Sequence, residues 1–491
     1  MLQIIENAQN YLAKIAIVDS EAEFTFSDLL QNSEAVASHL LGTYSDLNQK
    51  RVAFIVSPGF HYAAVQWGIW RAGGIAVPLC ITYPFPSLQY VIEDTGAEFL
   101  IVGSEYEELL SPYKDQTTIK FFPVGKINPE QTAELPAIDK TRGAMILYTS
   151  GTTNLPKGVL TTHATIESQI NTLVKAWHWS SKDYTVGILP LHHVHGIINV
   201  LSCALWSGAT IQFLHPFKAE EVFEEFEKGN ITVFMAVPTI YFKLISQYET
   251  FPEEKQKTLT YVMKRFRLMV SGSAALPVSV MAKWKEISGH YLLERYGMTE
   301  IGMAISNPYY NDRKAGYIGH ALEGVEIRLV NEENQVVLPG QAGEIQVKGP
   351  SVFKEYWGKP EATVKTFTED GWFKTGDIAI VESGYFRILG RDSIDIIKSG
   401  GYKISALEIE EIIRQYPGIK DVGVVGIPDE EWGEIVVSAL VVENPIDLKN
   451  LNSWLRERMP AYKTPRSYMI IDDLPRNAMG KVTKNDLKKL F

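Results

Sequence analysis

Apolar residues in the first hundred positions follow two periods in alternation. Runs of β-branched and aliphatic residues at 15–18, 51–56, 74–78 and 98–102 read as buried strands, while 27–41, 61–72 and 87–95 carry apolar residues at helical spacing. Ser27 and Asp28 offer a capping start for the first of these helices. Strand and helix in turn are the order of α/β units. After a looser stretch at 111–142, further strands are predicted at 144–148, 185–189, 231–237 and 267–270, each followed by glycine, proline or hydroxyl residues. In open α/β sheets ligands gather at the carboxyl ends of the strands, so these exits are expected to form the rim of a site.

From 318 to 348 the pattern changes to short β runs, at 326–330 and 344–348, separated by Gly and Pro turns. That pattern predicts a barrel-like or ribbon-like antiparallel part. Gly390-Arg391 ends another strand, and about a hundred residues follow with a βαββαβ-like alternation of their own. The expected organisation is α/β: a large N-terminal domain over 1–391 that includes the small β-barrel-like part, and a small α+β C-terminal domain over 392–491.

Composition narrows the class of partner. A chain with 45% hydrophobic and 21% charged residues fits a water-soluble globular protein, and a net charge of -11 argues against nucleic acid or an anionic membrane as the main partner. No stretch of about 18 apolar residues predicts a membrane span, and the start of the chain lacks a basic then apolar leader. Cys80 and Cys203 read as buried small hydrophobes in a reducing compartment, and the expected location is cytoplasmic.

Candidate chemistry clusters at the strand exits. In LYTSGTTNLPKGVL, 147–160, Thr149, Ser150, Thr152 and Thr153 offer hydroxyls and amides, Gly151 permits close backbone approach, and Lys157 adds a mobile charge. These groups suit a polyphosphate, although the spacing is not that of a P-loop and a polar surface turn is the alternative. In PLHHVHG, 190–196, a zinc site lacks further ligands at the usual spacing; His193 and His195 fit the wall of a substrate or thiol tunnel, or ordinary packing. Thr299 can donate to a phosphate and Glu300 can hold Mg²⁺, the alternative being a helix start. Asp377 follows Gly376 at the head of a β run and can accept from two ribose hydroxyls, or close an Asx-turn. Gly400 and Gly401 form a turn that leads into a helix, and Lys481 follows a flexible glycine, where a solvated surface lysine is the plain alternative.

Taken in order, YTSGTTNLPKG, PLHHVHG, SGSAAL, ERYGMTE, GWFKTGD, Gly390-Arg391, GGYKISALEIE and PRNAMGK resemble the adenylate-forming superfamily of acyl-CoA synthetases, adenylation domains of peptide synthetases and firefly-type luciferases. The resemblance spans nearly the whole chain. Within it, 267–277 and 292–309 look most like the malonyl-CoA synthetase branch. It implies ATP-dependent activation of a small carboxylic acid through an acyl-adenylate, followed by transfer to coenzyme A as co-substrate. By the same resemblance Thr149 to Thr153 and Lys157 would hold the β and γ phosphates, Thr299 the α-phosphate and Glu300 the Mg²⁺. Ser273, Ala274 and Ala275 would flank adenine, with Tyr296, Gly297 and Met298 in the same nucleotide-binding set, and Asp377 and Arg391 would bind ribose. Lys481 would bridge the carboxylate and the α-phosphate, His193 joins the catalytic set, and Gly400-Gly401 would border the thiol path. Rotation about a hinge at Ser393, where relatives often carry a charged residue, would alternate Lys481 with that glycine turn.

For malonate or methylmalonate the second carboxylate needs a partner inside the pocket, and Arg295 and Lys243, with His195 beside them, match the positions of that branch. An Arg295 paired with Glu294 is the structural alternative. The competing functions are a short- or medium-chain fatty-acid ligase, a free-standing adenylation protein that loads a carrier-protein thiol, and a non-catalytic nucleotide-binding protein.

Overall fold

The computed structural model describes residues 2–114, 118–149, 155–400, 402–476 and 481–491. Among these, the strands assemble into four sheets. One has nine strands, in the order His320–Ala321, Gly302–Ser306, Leu293–Met298, Leu268–Ser271, Val233–Ala236, Tyr184–Gly187, Thr210–Phe213, Ile15–Val18 and Glu23–Thr25. A second has seven, in the order Glu355–Tyr356, Lys157–Thr162, Gly143–Thr149, Ile75–Pro78, Arg51–Ile55, Phe99–Val102 and Lys120–Pro123. The inner strands pair in parallel and the edges carry the antiparallel pairs. Every residue of Ile75–Pro78, Phe99–Val102, Val233–Ala236 and Leu268–Ser271 is buried. Strands covered on both faces need continuous apolar runs, which is the pattern the sequence carries there.

Helix Phe26–Leu41 starts one residue before the predicted position. Thr25 is its cap: the Thr25 hydroxyl accepts from the Asp28 N–H at 3.1 Å, and the Asp28 carboxylate accepts from the Thr25 N–H at 2.7 Å. This reciprocal box satisfies two otherwise orphaned donors, which a Ser27 cap would not do. The helix packs with Phe60–Arg71 between the sheets. One continuous core runs from Ile17, Ile211 and Val270 through Val36, Trp67 and Trp70 to Phe54, Ala76 and Met145. Each such side chain contributes about 1.5–3 kcal/mol by leaving water, so this core holds the two large sheets together.

The barrel-like part is an antiparallel sheet of Glu326–Val330, Gly343–Lys348, Phe373–Glu382 and Tyr385–Arg391, joined to the nine-stranded sheet's edge region through a bridge between Gly319 and Phe386. After Arg391 the chain folds as the hairpin Ile396–Ser399 and Tyr402–Ser405, helix Ala406–Ile413, the long hairpin Ile419–Asp429 and Gly433–Val442, helix Leu448–Arg456, strand Ser467–Ile470 and helix Lys484–Lys488. The opening hairpin adds a strand to the alternation expected from the sequence, because Ile397 and Ile404 pair across it and both point into the local core. That core, with Ile409, Ile413, Val424, Val436 and Leu455, is made by residues beyond Arg391 alone. Among the described residues no helix is long and apolar enough to cross a membrane.

The amino ends of three parallel strands are tied together by one carboxylate. Asp183, almost fully buried, accepts from Arg267 Nε at 2.6 Å and its Nη2 at 2.8 Å, from the Ser180 N–H at 2.7 Å and from the Thr232 hydroxyl at 2.9 Å. Burial pushes its pKa up, but Arg267 and the other donors outweigh that and hold it below the usual carboxylate range. Removing one partner of a buried pair strands the other, so Asp183→Ala is expected to cost about 3–5 kcal/mol. Urea unfolding followed by tryptophan fluorescence checks it; an unchanged midpoint would show that the pair is dispensable.

Candidate active site

The first group of predicted residues is built around Tyr356. Residues 150–154, and with them Ser150, Gly151, Thr152 and Thr153, lie outside the described residues, but the flanks of that loop are placed: Thr149 and Lys157 face each other across an antiparallel pair. The Lys157 ammonium lies 5.1 Å from the centre of the Tyr356 ring, and the Tyr356 hydroxyl donates to Glu300 Oε1 at 2.9 Å. One tyrosine thus joins the two segments that the sequence placed at one site. Thr299 and Glu300 sit in the tight turn between Leu293–Met298 and Gly302–Ser306, with the Ile301 N–H bonded to the Met298 carbonyl, and so they do not start a helix. Glu300 is 5% exposed, and burial raises its pKa against the pull of Tyr356. A buried carboxylate with a single side-chain donor fits a hard cation, whose charge would offset the desolvation. Beside it a cavity of about 670 Å³ is lined by Lys157, Tyr356, Lys359, Glu361 and Lys365.

The second group centres on Asp377. Its Oδ2 accepts from the Tyr296 hydroxyl at 2.6 Å and from Arg391 Nη2 at 3.3 Å, and its Oδ1 from Arg391 Nε at 2.9 Å. Phe373–Glu382 and Tyr385–Arg391 place Asp377 and Arg391 opposite each other in register. A carboxylate has about four acceptor positions, and three are used here, so a ribose hydroxyl would share or displace these donors. The backbone N–H of Asp377 bonds to the Thr375 hydroxyl, and its side chain closes no Asx-turn.

Arg295 forms the third group. It is 3% exposed, and Glu294 and Arg295 lie on opposite faces of strand Leu293–Met298, so the alternative pairing of these neighbours does not form. Arg295 Nη2 reaches the Ser273 hydroxyl at 3.4 Å, and that hydroxyl lies 3.1 Å from His195 Nδ1. Among the described residues Arg295 has no ion pair, and its Nε is buried without a hydrogen-bond partner, as is His195 Nε2. Burial lowers the Arg295 pKa to about 9 against the pull of Glu294. The guanidinium rests on Gly272, where a Cβ would lie 2.4 Å from Cζ, so a side chain there would expel it. Ser273 holds a left-handed conformation, φ 70°, that aims its hydroxyl between the arginine and the histidine.

The other predicted residues spread around these groups. Ala274 is half-buried and Ala275 exposed on the exit after Leu268–Ser271, and Gly297 and Met298 end strand Leu293–Met298. Burial pushes His193 down to about 4 and His195 well below the usual imidazole value, so both are neutral at neutral pH; among the described residues no three ligating side chains gather to hold a metal. Lys243 is exposed on helix Pro238–Thr250 with its ammonium 6.0 Å from the Phe217 ring, and it makes no hydrogen bond or ion pair with Arg295, Ser273 or His195. Gly400 packs against Trp432, while Gly401 lies outside the described residues. Lys481 is exposed, and its charge acts on Asp395. Sequence reasoning missed Tyr356 and Gly272, and named Glu294 only as a partner for Arg295. Gly272 between two serines at a buried strand's exit carried a usable signal; Tyr356 did not, being 56 residues from Glu300.

Glu294 supplies a pH test of the buried strand. Its Oε1 accepts from the Leu276 N–H at 3.2 Å, and burial, with Glu411 adding repulsion, raises its pKa from 4.5 to about 8. Between those values the folded protein binds the extra proton, so this contribution to stability is full below about 4.5 and is lost as pH rises to about 8. Glu294→Gln keeps the acceptor for Leu276 and should flatten the decline relative to the parent, by on the order of 5 kcal/mol. Unfolding at pH 5 and pH 8 measures it, and equal pH slopes in the two proteins would refute the assignment.

Comparison with known proteins gives these groups a family. The model of the AMP-binding enzyme family matches residues 4–357, and that of the AMP-binding enzyme C-terminal domain matches 408–481. A mitochondrial malonate–CoA ligase of Bos taurus is 43% identical, the alignment covering 96% of this chain and 88% of the relative. ATP-bound MatB from Rhodopseudomonas palustris superposes with a TM-score of 0.90 at 31% identity, over 100% of this chain and 98% of that one. A malonyl-CoA ligase ternary product complex with methylmalonyl-CoA and AMP gives a TM-score of 0.71, also at 31% identity, over 97% of this chain and 100% of that one. The chain therefore belongs to the AMP-binding enzymes, which form adenylates from ATP.

Proposed function

We propose that this protein is an AMP-forming acid–thiol ligase that converts malonate, or its methyl-substituted form, with ATP and CoA into the acyl-CoA, AMP and diphosphate. The observation that carries the substrate is Arg295: a buried guanidinium beside Ser273 and His195 with no carboxylate of its own. Leaving such a charge unpaired is costly, and the distal carboxylate of a dicarboxylic acid removes that cost. Lys243, exposed on helix Pro238–Thr250, makes no direct contact with Arg295, so the reading rests mainly on the arginine.

In the first step a carboxylate oxygen of the acid bonds to the α-phosphorus, the bond to the bridging oxygen breaks, and diphosphate leaves. Lys157 and the loop from Thr149 would hold the β and γ phosphates, Thr299 would donate to the α-phosphate, and Glu300 would hold Mg²⁺, which would supply positive charge against the phosphates. Asp377 and Arg391 would hold the ribose, while Ser273 to Ala275 flank adenine. In the second step the CoA sulfur, having lost its proton, attacks the acyl carbonyl and AMP leaves with its bonding electrons. The neutral His193, with an unpartnered Nε2, would line the path of the thiol.

We place the division into large and small domains at Arg391, with Ser393 as the hinge. At equal identity the chain fits the ATP-bound relative better than the product complex, 0.90 against 0.71. Sequence divergence does not account for that gap, and a different placement of a small domain would. Two free cysteines suit a reducing compartment and support a cytoplasmic location, although the bovine relative is mitochondrial.

A panel of carboxylic acids with ATP, Mg²⁺ and CoA, scored by AMP and acyl-CoA formed, tests the reading. Malonate is expected to exceed butyrate, and Arg295→Ala should cut kcat/KM for malonate by about 100-fold or more but that for butyrate by less than about tenfold. Preference for butyrate in the parent, or parallel losses in the variant, would remove the dicarboxylate assignment.

A further inference from the structure

A buried ion cluster links the ribose-side arginine to the segment that carries Lys481. Lys484 opens helix Lys484–Lys488 and is 7% exposed; its Nζ lies 2.8 Å from Asp395 Oδ1 and 2.8 Å from Glu410 Oε1. Asp395 Oδ2 accepts from the Arg391 N–H at 3.0 Å, and the Asp395 carbonyl accepts from the Ala406 N–H at 2.8 Å. Glu410 belongs to helix Ala406–Ile413 and its Oε1 also accepts from the Val424 N–H at 2.8 Å. Gly390 lies against Asp395, where an added Cβ would meet the aspartate Cβ at 2.3 Å. An unbroken path therefore runs from Tyr296 through Asp377, Arg391 and Asp395 to Lys484, three residues from Lys481.

The ammonium is kept charged in spite of its burial. Desolvation would lower its pKa, but Glu410 and Asp395 together raise it above the usual lysine value. Burial would push Asp395 up, and Lys484, with a smaller pull from Lys481, brings it down. Two fixed carboxylates on different elements define where Lys484 sits, and so where the short segment from Lys481 to Lys484 begins and ends.

We propose that Lys484 is a positioning residue for adenylate formation, pinning the Lys481 segment to Asp395, two residues past the hinge at Ser393, so that Lys481 is held in register with the Arg391–Asp377 pair. The proposal rests on the ligase reading. It assigns Lys484 no contact with substrate, and it makes the first half-reaction depend on the tether while the second does not.

The test measures the two half-reactions separately in the full-length chain: ATP–diphosphate exchange with malonate, and CoA transfer from supplied malonyl-adenylate. Lys484→Met combined with Glu410→Gln removes the tether and leaves the same local net charge. Exchange is expected to fall about 100-fold in kcat with KM for ATP within about threefold, while CoA transfer stays within about threefold of the parent. Lys484→Arg, which can still span both carboxylates, should restore exchange to within about tenfold. Lys481→Ala, which should lose exchange and keep transfer, is the reference. Equal losses in both half-reactions, unchanged exchange in a folded double variant, or failure of both variants to fold would overturn the positioning role. If the parent itself shows no exchange with any acid, the ligase reading fails first.

Discussion

The strand Leu293–Met298 and the turn after it impose one constraint on everything around them: consecutive residues of an extended chain must face opposite sides. Glu294 turns to the exit loop and the Leu276 N–H, Arg295 to Gly272 and Ser273, and Tyr296 to Asp377. The turn then delivers Glu300 to Tyr356. Seven positions thus fix Glu294, Arg295, Tyr296 and Glu300 relative to each other without a flexible linker between them. A one-residue slip in this strand would send Arg295 to the wrong side and put another residue beside Ser273 and His195, removing the positive charge there.

Burial makes this arrangement costly, and the two charged side chains meet the cost in different ways. Arg295 and Glu294 are both almost fully enclosed, on opposite faces, and neither neutralises the other through a direct contact. The glutamate meets the penalty by holding a proton. An arginine cannot easily give one up, so its site is stable only in proportion to the anion it attracts. The neutral His195 next to Ser273 adds no competing charge, and Gly272 keeps the guanidinium from being displaced toward solvent.

Much of this was legible in the residues. The parallel strands, their order of appearance and the rim of polar exits followed from continuous apolar runs ended by glycine and hydroxyl residues, as at Leu268–Ser271. The cap of the first long helix was misplaced by two residues because Ser27 and Asp28 looked sufficient, whereas the reciprocal bond selects Thr25 with Asp28 as its partner. What could not be read were the meetings between distant segments. Nothing in the spacing ties Tyr356 to Glu300, or Lys484 to Asp395, because those contacts depend on how two sheets or two short elements pack. Lys243 is a further case: the spacing does not show that its ammonium lies 6.0 Å from the Phe217 ring on an exposed helix face.

The contacts across Arg391 fall into two kinds, and the difference bears on how the small domain could move. Val278 N–H donates to Glu411 at 3.1 Å, and Lys403 pairs with Glu332 at 2.6 Å; the side chains of that ion pair are 49% and 71% exposed. Exposed pairs are screened and hold little, so such contacts can be exchanged for others during a rotation. The Arg391–Asp395–Lys484–Glu410 cluster is enclosed, and breaking it would leave charges without partners. A rotation that breaks the first set and keeps the second must pivot within 391–395. Any such motion carries Lys484, and with it Lys481, as one body with Asp395, while Arg391 stays with Asp377.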